Sequence, residues 1–202
     1  MGPWEPARIA HALRKVPVKP EAELQDRRAA VALVLRPGTG GAGPDLLLMR
    51  RAEHPQDPWS GQVSLPGGRH EEHDPDLVAT AMRETREEVS VDLDAHASLL
   101  GSLQPLRARA RGRVVPMDVA PFVFGLDAPV QPIAGEEASE VFWLPLEPVL
   151  RGELDAPFEY RQGEIHRELP SWRYEGRVVW GMTHRIVGDL LGILHPRDDG
   201  PV

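Results

Sequence analysis

Three glutamates at helical spacing are the residues of this sequence best suited to chemistry. Glu84, Glu87 and Glu88 stand at positions i, i+3 and i+4, so a helix over this segment places their carboxylates on one face. Like charges at that spacing repel one another, and a hard divalent cation, which binds through several oxygen ligands, relieves the repulsion. The other interpretation is a solvated helix face on which Arg83 and Arg86 balance the glutamates, and the spacing alone favours it.

Two glycines that precede this segment change the balance. Gly67 and Gly68 follow a proline, and an acidic loop ending at Asp74 separates them from the glutamates. Glycine allows a backbone to approach a phosphate closely, and the amides of such a turn bind phosphate oxygens. An anion-binding turn beside a cation-binding helix is the arrangement that a metal–diphosphate complex requires. The residues therefore predict metal-dependent chemistry on a diphosphate, with the loop histidines His70 and His73 expected to be solvated.

The helix that must hold the glutamates is the clearest element in the sequence. It is predicted over residues 76–89, with Asp74 as its N-cap and Pro75 at its first helical position. Leu77 and Ala81 belong to an apolar stripe at helical spacing, which is typical of a helix that packs on a core.

The other predicted elements are short. Helices are predicted over residues 6–16 and over Gly181–Leu194, and loops at the proline- and glycine-rich stretches between strands. Strands are predicted at residues 29–35, 45–49, 62–65, 99–103, 114–124 and 140–144. Strands with two or three interspersed helices predict an α/β or α+β sandwich.

Composition excludes several classes of protein. The 202 residues fit one domain, and 41% apolar and 27% charged residues are ordinary for a globular chain. Cysteine is absent, which excludes disulfides and thiolate metal sites and leaves carboxylates and histidines as metal ligands. The net charge of -8 argues against a nucleic-acid partner and favours a small molecule. No apolar run approaches the ~20 residues that cross a bilayer, and no signal-peptide pattern precedes the first helix, so no membrane partner and a cytoplasmic location are expected.

The segment from Gly68 to Val91 resembles a known motif, the Nudix box, G-x5-E-x7-R-E-U-x-E-E-x-G-U, in which U is a bulky apolar residue. Its core R-E-x-x-E-E stands here as residues 83–88. Asp74 replaces the first glutamate with one extra residue before the core, Thr85 replaces an apolar residue, and Ser90 replaces the last glycine. The first departure is similar to the coenzyme A diphosphatase branch of the Nudix family, which carries G-G-x-x-E-x-x-D before T-A-x-R-E-x-x-E-E. Ten residues match that variant: Gly67, Gly68, Glu71, Asp74, Thr80, Ala81, Arg83, Glu84, Glu87 and Glu88.

The resemblance extends from about residue 30 to residue 194. Residues 47–51 and 61–66 are similar to the branch's L-L-x-x-R and G-x-V-x-F-P-G-G, although Leu65 replaces the phenylalanine and Trp59 replaces a histidine. Residues 137–145 are similar to N-E-x-x-E-V-F-W-V-P without its first residue, and residues 180–183 match W-G-M-T. The resemblance implies an α/β fold, a Nudix-type α/β/α sandwich around a mixed β-sheet. The domain is expected over residues 28–195, after an N-terminal helix and linker at 1–27 and before a tail at 196–202.

The resemblance also implies roles for the carboxylate helix. Glu84, Glu87 and Glu88 would be the metal ligands for Mg²⁺ or Mn²⁺, and Arg83 would orient them through charge-assisted hydrogen bonds. Catalysis would involve Glu87, Glu88 and a general base that lies either on the helix or on a later loop. Glu137 is the loop candidate.

Two neighbours, Glu136 and Glu140, are close enough in sequence to be confused with that loop candidate. Arg51, Gly67 and Gly68 would bind substrate.

The implied reaction is hydrolysis of a diphosphate linkage in coenzyme A or acyl-coenzyme A, which gives a phosphopantetheine and adenosine 3′,5′-bisphosphate. A homodimer is an additional partner to consider. One alternative is a Nudix hydrolase of ADP-ribose, dinucleotides or nucleoside triphosphates, and another is a non-catalytic, nucleotide-sensing Nudix domain. The alternating arginines 107, 109, 111 and 113 either hold an extra phosphate or form a solvated hairpin tip. Trp59 either stacks on an adenine or covers its loop, and His184 is expected to be structural.

Overall fold

A computed structural model describes residues 5–25, 27–38, 43–55, 57, 59–110, 113–162 and 165–195. The predicted tail at 196–202 and Arg111 lie outside the described residues.

Helices separate three groups of strands along the chain. The helices are α1 (Pro6–Leu13), α2 (Leu77–Val89), α3 (Leu93–His96), α4 (Leu146–Leu150) and α5 (Gly181–Leu194). The strands are β1 (Arg28–Pro37), β2 (Pro44–Arg51), β3 (Val63–Ser64), β4 (Gly67–Arg69), β5 (Ala97–Ser102), β6 (Leu106–Ala110), β7 (Arg113–Leu126), β8 (Ala138–Pro145), β9 (Asp155–Gln162), β10 (Ile165–Tyr174) and β11 (Arg177–Trp180).

The main sheet is mixed, and it splits at β1. Its path runs β3-β2-β1-β7-β5, with β4 paired to β1, β6 to β7 and β8 to β2. β1 and β7 are parallel along their length. The other edge of β1 pairs with β2 near Leu35 and with β4 near Ala29. The split therefore brings β4 and the end of β2 to one place, beside the end of α2.

Alternation along the central strands builds a core on each face of the sheet. In β1, Ala32 and Val34 face one core, whereas Leu33 and Leu35 face the other, as a period of two requires. The first core also takes side chains from α2 and α3, and the second takes them from α1 and α5. The predicted α/β/α sandwich around a mixed sheet is confirmed.

A second, three-stranded sheet was not predicted from the sequence. β9, β10 and β11 form antiparallel pairs over Asp155–Trp180. Its buried face carries Trp172, whose ring lies 4.2 Å from that of His184 in α5. His184 is half-buried, and burial lowers its pKa, which agrees with a structural role.

The start of the carboxylate helix differs from the prediction. α2 begins at Leu77, and its N-cap is Asp76, which accepts a hydrogen bond from the Ala79 amide at 2.8 Å. Asp74, predicted as the N-cap, instead turns its carboxylate into the protein, where it is 7% exposed. Asp74 pairs with the arginine Arg83 instead, and the cap position falls two residues later.

Two other boundaries also differ. The Gly67–Gly68 turn is wrong as predicted, because both glycines lie in β4 and pair with β1 at residues 30 and 31. α1 ends at Leu13 rather than at residue 16, since Pro17 disfavours helical backbone at the residue before it.

Candidate active site

Glu88 is the most deeply buried carboxylate of α2, at 2% exposure. Its Oε2 accepts a hydrogen bond from the Gly67 amide at 2.8 Å, and its Oε1 lies 3.5 Å from Arg51 Nη1. Burial raises the pKa of Glu88 to about 8, and the charges of Glu84 and Glu137 add to the rise. The amide and the arginine lower the pKa by less than burial raises it. The amide and the arginine therefore do not offset the cost of burying a negative charge at Glu88, which an added cation would reduce.

Glu84 lies against the backbone of β4. A Cβ added at Gly68 would come within 2.5 Å of the Glu84 carboxyl carbon, so only glycine allows this approach. The Glu84 side chain is 13% exposed. Burial raises its pKa, the attraction of Arg83 lowers it, and repulsion from Glu87 and Glu137 raises it further.

Arg83 joins the carboxylates of α2 to the loop that precedes the helix. Its Nε and Nη2 donate to the two Asp74 oxygens at 2.9 and 3.0 Å, and Nη2 also donates to the Arg69 carbonyl at 3.0 Å. Its Nη1 lies 3.0 Å from Glu84 Oε1 and 2.9 Å from Glu87 Oε2. These contacts raise the pKa of Arg83, with the Asp74 hydrogen bonds as the largest cause. The guanidinium is thus in position to orient two of the predicted metal ligands.

Asp74 is the inner end of a polar chain. Besides Arg83, its carboxylate accepts hydrogen bonds from the Thr80 hydroxyl at 2.9 Å and the Glu71 amide at 3.0 Å. His70 Nδ1 lies 2.9 Å from the same hydroxyl. The Arg83 hydrogen bonds hold the pKa of Asp74 well below its usual range. His70 is correspondingly only 17% exposed, so the expectation of a solvated side chain is wrong for it, whereas His73 is 65% exposed.

Glu137 stands just before β8, beside the end of β2. Its carbonyl accepts a hydrogen bond from the Ala52 amide at 2.8 Å. Its side chain is exposed, and its charge contributes to the pKa shifts of Arg51, Glu84 and Glu88. Glu137 is therefore close enough to the carboxylate helix for its charge to act on Glu84 and Glu88.

The Glu140 carboxylate already forms ion pairs with two arginines. Its carboxylate pairs with Arg177 Nε at 2.9 Å and with Arg50 Nε at 3.4 Å, and the Arg177 hydrogen bonds lower its pKa. Glu136 is exposed. The charge of Glu137 contributes to the pKa shifts of Glu84 and Glu88, and its role as the general base stays a prediction.

Arg51 is already paired. Its Nε donates to Asp57 Oδ2 at 2.8 Å while Nη1 faces Glu88, and its side chain is 23% exposed. The Asp57 Oδ1 accepts from the Trp59 amide at 3.0 Å, and Trp59 packs beside Met117 and Val119. Arg51 as a substrate ligand and Trp59 as a stacking residue stay predictions, and the packing of Trp59 agrees with a covering role.

The arginine series does not form one free face. Arg107 Nε pairs with Asp118 Oδ1 at 2.9 Å across β6 and β7, and the sequence turns back between Arg109 and Arg113. Arg107 is therefore already paired, and a phosphate site that uses all four arginines stays a prediction, since Arg111 lies outside the described residues.

The donors fit a hard divalent metal ion in kind. Glu84 and Glu88 supply carboxylate oxygens whose pKa is raised mainly by burial, a cost that a bound cation would reduce, and Glu87 lies one turn from Glu84. Among the described residues, no three acidic or imidazole side chains are gathered closely enough to hold a metal as they stand. Glu84 and Glu87 are turned toward Arg83 instead, so metal binding requires them to exchange that partner for the ion.

The raised pKa of Glu88 predicts a pH-dependent stability for the metal-free protein. The folded state keeps the Glu88 proton up to about pH 8, whereas the unfolded chain loses it near 4.5. The unfolding free energy should therefore fall by about 2 kcal/mol between pH 6.5 and pH 8.5. Asp74 has a lowered pKa, so its contribution is already complete in this window. Urea unfolding in the presence of a chelator measures how the unfolding free energy changes with pH, and Glu88→Gln should remove most of that change. An equal pH dependence in both proteins would contradict the raised pKa of Glu88.

Gly68→Ala should weaken metal binding. The added Cβ would displace the Glu84 carboxylate, and disturbing the support of a metal ligand weakens metal affinity by about 10–100-fold. Activity titrated with Mg²⁺ should therefore reach half its maximum at least about tenfold higher Mg²⁺ than in the unmodified protein. Gly192→Ala is the control, because a Cβ there meets nothing within 4 Å. An unchanged Mg²⁺ titration for Gly68→Ala would exclude Glu84 as a ligand.

Several residues of this site carried no individual signal in the sequence. Thr80 matched the branch pattern without a stated role, and its hydroxyl bridges Asp74 and His70. Asp57 lies in a loop rich in polar residues, and only the fold shows that it binds Arg51. Gly135 is one of many glycines, and only the fold shows that it contacts α2.

Comparison with known proteins identifies the family. A family profile described as the NUDIX domain matches residues 26–169. Over 173 residues the chain is 36% identical to an uncharacterized Nudix hydrolase, NudL, of Yersinia pestis, covering 82% of this chain and 78% of that protein. The NudL protein of Yersinia pseudotuberculosis matches to the same extent. A crystal structure of a C. elegans Ap4A hydrolase complex is 21% identical, with a TM-score of 0.49 over 61% of this chain and 83% of that one.

A mixed sheet between two layers of helices, with a carboxylate helix at its split, defines the class as a hydrolase of phosphoric anhydride bonds. The chain belongs to the Nudix hydrolase family. Its substrates are nucleoside diphosphate derivatives, and Nudix hydrolases use divalent metal ions. Helices in the described part of the chain are all too short or too polar to cross a membrane.

Proposed function

We propose that this enzyme hydrolyses coenzyme A or acyl-coenzyme A to a phosphopantetheine and adenosine 3′,5′-bisphosphate. The observation that carries the proposal is the bonding between Asp74 and Thr80. These two residues belong to the pattern of the coenzyme A branch, and they bond to each other and, through Asp74, to Arg83. The residues that distinguish this pattern from the general Nudix box are thus hydrogen-bonded to one another and to the carboxylate helix.

Glu84, Glu87 and Glu88 would hold Mg²⁺ or Mn²⁺. When bound, such an ion neutralises the diphosphate charge and makes water a better nucleophile. Glu88 must be ionised to bind it, and the Gly67 amide and Arg51 favour that ionised form. Arg83 keeps Glu84 and Glu87 within reach of each other.

Glu137 would take the proton from the attacking water. Its exposed carboxylate has room for a water molecule, and its backbone is fixed to β2 through the Ala52 amide. Oxygen from water then joins one phosphorus, the bridging P–O bond breaks, and the leaving phosphate takes up the charge. General base catalysis contributes about 10²–10⁴-fold, so Glu137→Gln should lower kcat by that factor.

A second candidate keeps the chemistry and changes the substrate to a diphosphate without a 3′-phosphate, such as ADP-ribose or a dinucleotide. The Arg107–Asp118 ion pair favours it, because this pair occupies one of the arginines suited to an extra phosphate. A sensing domain without catalysis has less support, since the three α2 carboxylates and Arg83 are all present.

Relative rates on matched substrates separate these candidates. With Mg²⁺ or Mn²⁺, kcat/KM is measured for coenzyme A, acetyl-coenzyme A, 3′-dephospho-coenzyme A, ADP-ribose, diadenosine polyphosphates and nucleoside triphosphates. We expect the highest value for coenzyme A or its thioester, and at least about tenfold less for the 3′-dephospho compound, which lacks one charged contact. A higher value for ADP-ribose or a dinucleotide would overturn the coenzyme A assignment.

A further inference from the structure

The segment that carries Glu137 is attached to the end of the carboxylate helix. The last carbonyls of a helix have no partner within it. Here the Gly135 amide donates to the Glu88 carbonyl at 2.8 Å, and the Ile133 amide donates to the Val89 carbonyl at 3.0 Å. Residues two apart in the segment thus bond to consecutive carbonyls at the end of α2.

Gly135 is needed for this contact. A Cβ at residue 135 would lie 2.3 Å from the Glu87 carbonyl oxygen and 3.2 Å from that of Glu88. Both are backbone atoms of α2, which cannot move aside as the end of a side chain can. Any larger residue must separate the segment from α2.

The same segment is fixed again on the far side of Glu137. The Ala138 amide donates to the Gly135 carbonyl at 3.2 Å, which closes a turn, and the Ala52 amide donates to the Glu137 carbonyl. The backbone of Glu137 is therefore held between the end of α2 and the end of β2. Its charge reaches Glu84 and Glu88 as a consequence.

We propose that Gly135 is a positioning residue, which sets Glu137 at a fixed distance from the carboxylates of α2 by close backbone contact with Glu87 and Glu88. This inference rests on the proposed role of Glu137 as the general base. It assigns to Gly135 no contact with substrate, and its effect passes entirely through Glu137.

The test is a double-variant cycle in kcat. Gly135→Ala should lower kcat about as much as Glu137→Gln does, by about 10²-fold or more, with KM changed by less than about threefold. The double variant should be no slower than the slower single variant, because a displaced base and an absent base lose the same step. Gly188→Ala is the matched control, since a Cβ there meets nothing within 4 Å, and it should keep the original kcat.

A second pair of variants applies if Gly135→Ala does not fold. Ile133→Pro removes the amide that bonds to Val89, and Ile133→Ala keeps it; the Ile133 side chain is 63% exposed, so neither disturbs a core. Ile133→Pro should lower kcat about tenfold relative to Ile133→Ala, and this loss should disappear in the Glu137→Gln background.

The outcomes separate this inference from the proposed function. If the unmodified protein cleaves a diphosphate other than coenzyme A, only the substrate proposal fails, and the cycle is run on the better substrate. If Glu137→Gln retains full kcat, the general base and the positioning role fail together. If Glu137→Gln is slow while Gly135→Ala is not, or if the two losses multiply, the positioning role alone is overturned.

Discussion

Glu88→Gln should lower kcat by at least about 10³-fold and leave the protein folded. The glutamine retains the size of the side chain, and its amide oxygen accepts the same hydrogen bond from Gly67. It cannot supply the charge that a divalent cation needs from a buried ligand. Above pH 8, where Glu88 is ionised, the metal-free variant should also unfold less readily than the unmodified protein, because a neutral side chain replaces a buried charge.

Glu88→Gln should lower activity but raise the stability of the metal-free protein. Loss of activity with a gain in metal-free stability is expected of a buried metal ligand and not of a damaged fold. Glu136→Gln, at an exposed position outside the proposed machinery, serves as the control and should keep its activity. Turnover close to that of the unmodified enzyme in folded Glu88→Gln would contradict the assignment of Glu88 as a metal ligand.

Arg83→Met should destabilise the protein by about 3–5 kcal/mol. The methionine replaces much of the side-chain volume but leaves Asp74, whose side chain is 3% exposed, without its counter-charge. Breaking a buried ion pair from one side has a penalty of that size. Chemical unfolding measures this loss of stability. The unfolding free energy of Arg83→Lys should lie between those of the unmodified protein and Arg83→Met, because lysine keeps the charge without the two-pronged contact.

Arg185→Met is the matched control for that loss. Arg185 also contacts both oxygens of an aspartate, Asp189, at 2.9 and 3.0 Å, but its side chain is 67% exposed. An exposed pair at this helical spacing contributes about 0.3–0.5 kcal/mol. Equal losses for Arg83→Met and Arg185→Met would show that Arg83 does not hold the loop and α2 together.

Strong periodicity explains why the central elements were predictable. β1, β2, β7 and α5 follow their predicted ranges closely, because each buries side chains at a regular spacing that its sequence displays. Glu84, Glu87 and Glu88 were found for a similar reason, since i, i+3 and i+4 define one face of a helix without reference to the rest of the chain.

The small sheet escaped prediction because its strands break the usual signals. β10 contains Pro170, and a proline in a middle strand argues against the strand. The pairing resolves this conflict: Pro170 lies opposite Pro157 of β9, and β10 meets β11 only from Ser171 onward. No local pattern indicates such a register.

Contacts between distant segments account for the rest of the site. Asp74 was predicted as the cap, but the fold places Arg83 against it and leaves the cap to Asp76. The pairing of Gly67 with β1 and the contact of Gly135 with Glu87 likewise depend on residues tens of positions away. The sequence pattern could identify which residues matter, but the distances between them required the fold.

Product identification from coenzyme A is the measurement that tests the central claim most directly. Unmodified enzyme and Glu88→Gln are incubated with coenzyme A and Mg²⁺. The products are separated chromatographically and identified by mass spectrometry. We predict equal amounts of 4′-phosphopantetheine and adenosine 3′,5′-bisphosphate from the unmodified enzyme, and neither from Glu88→Gln. Intact coenzyme A with both proteins, or loss of the 3′-phosphate alone, would contradict the account.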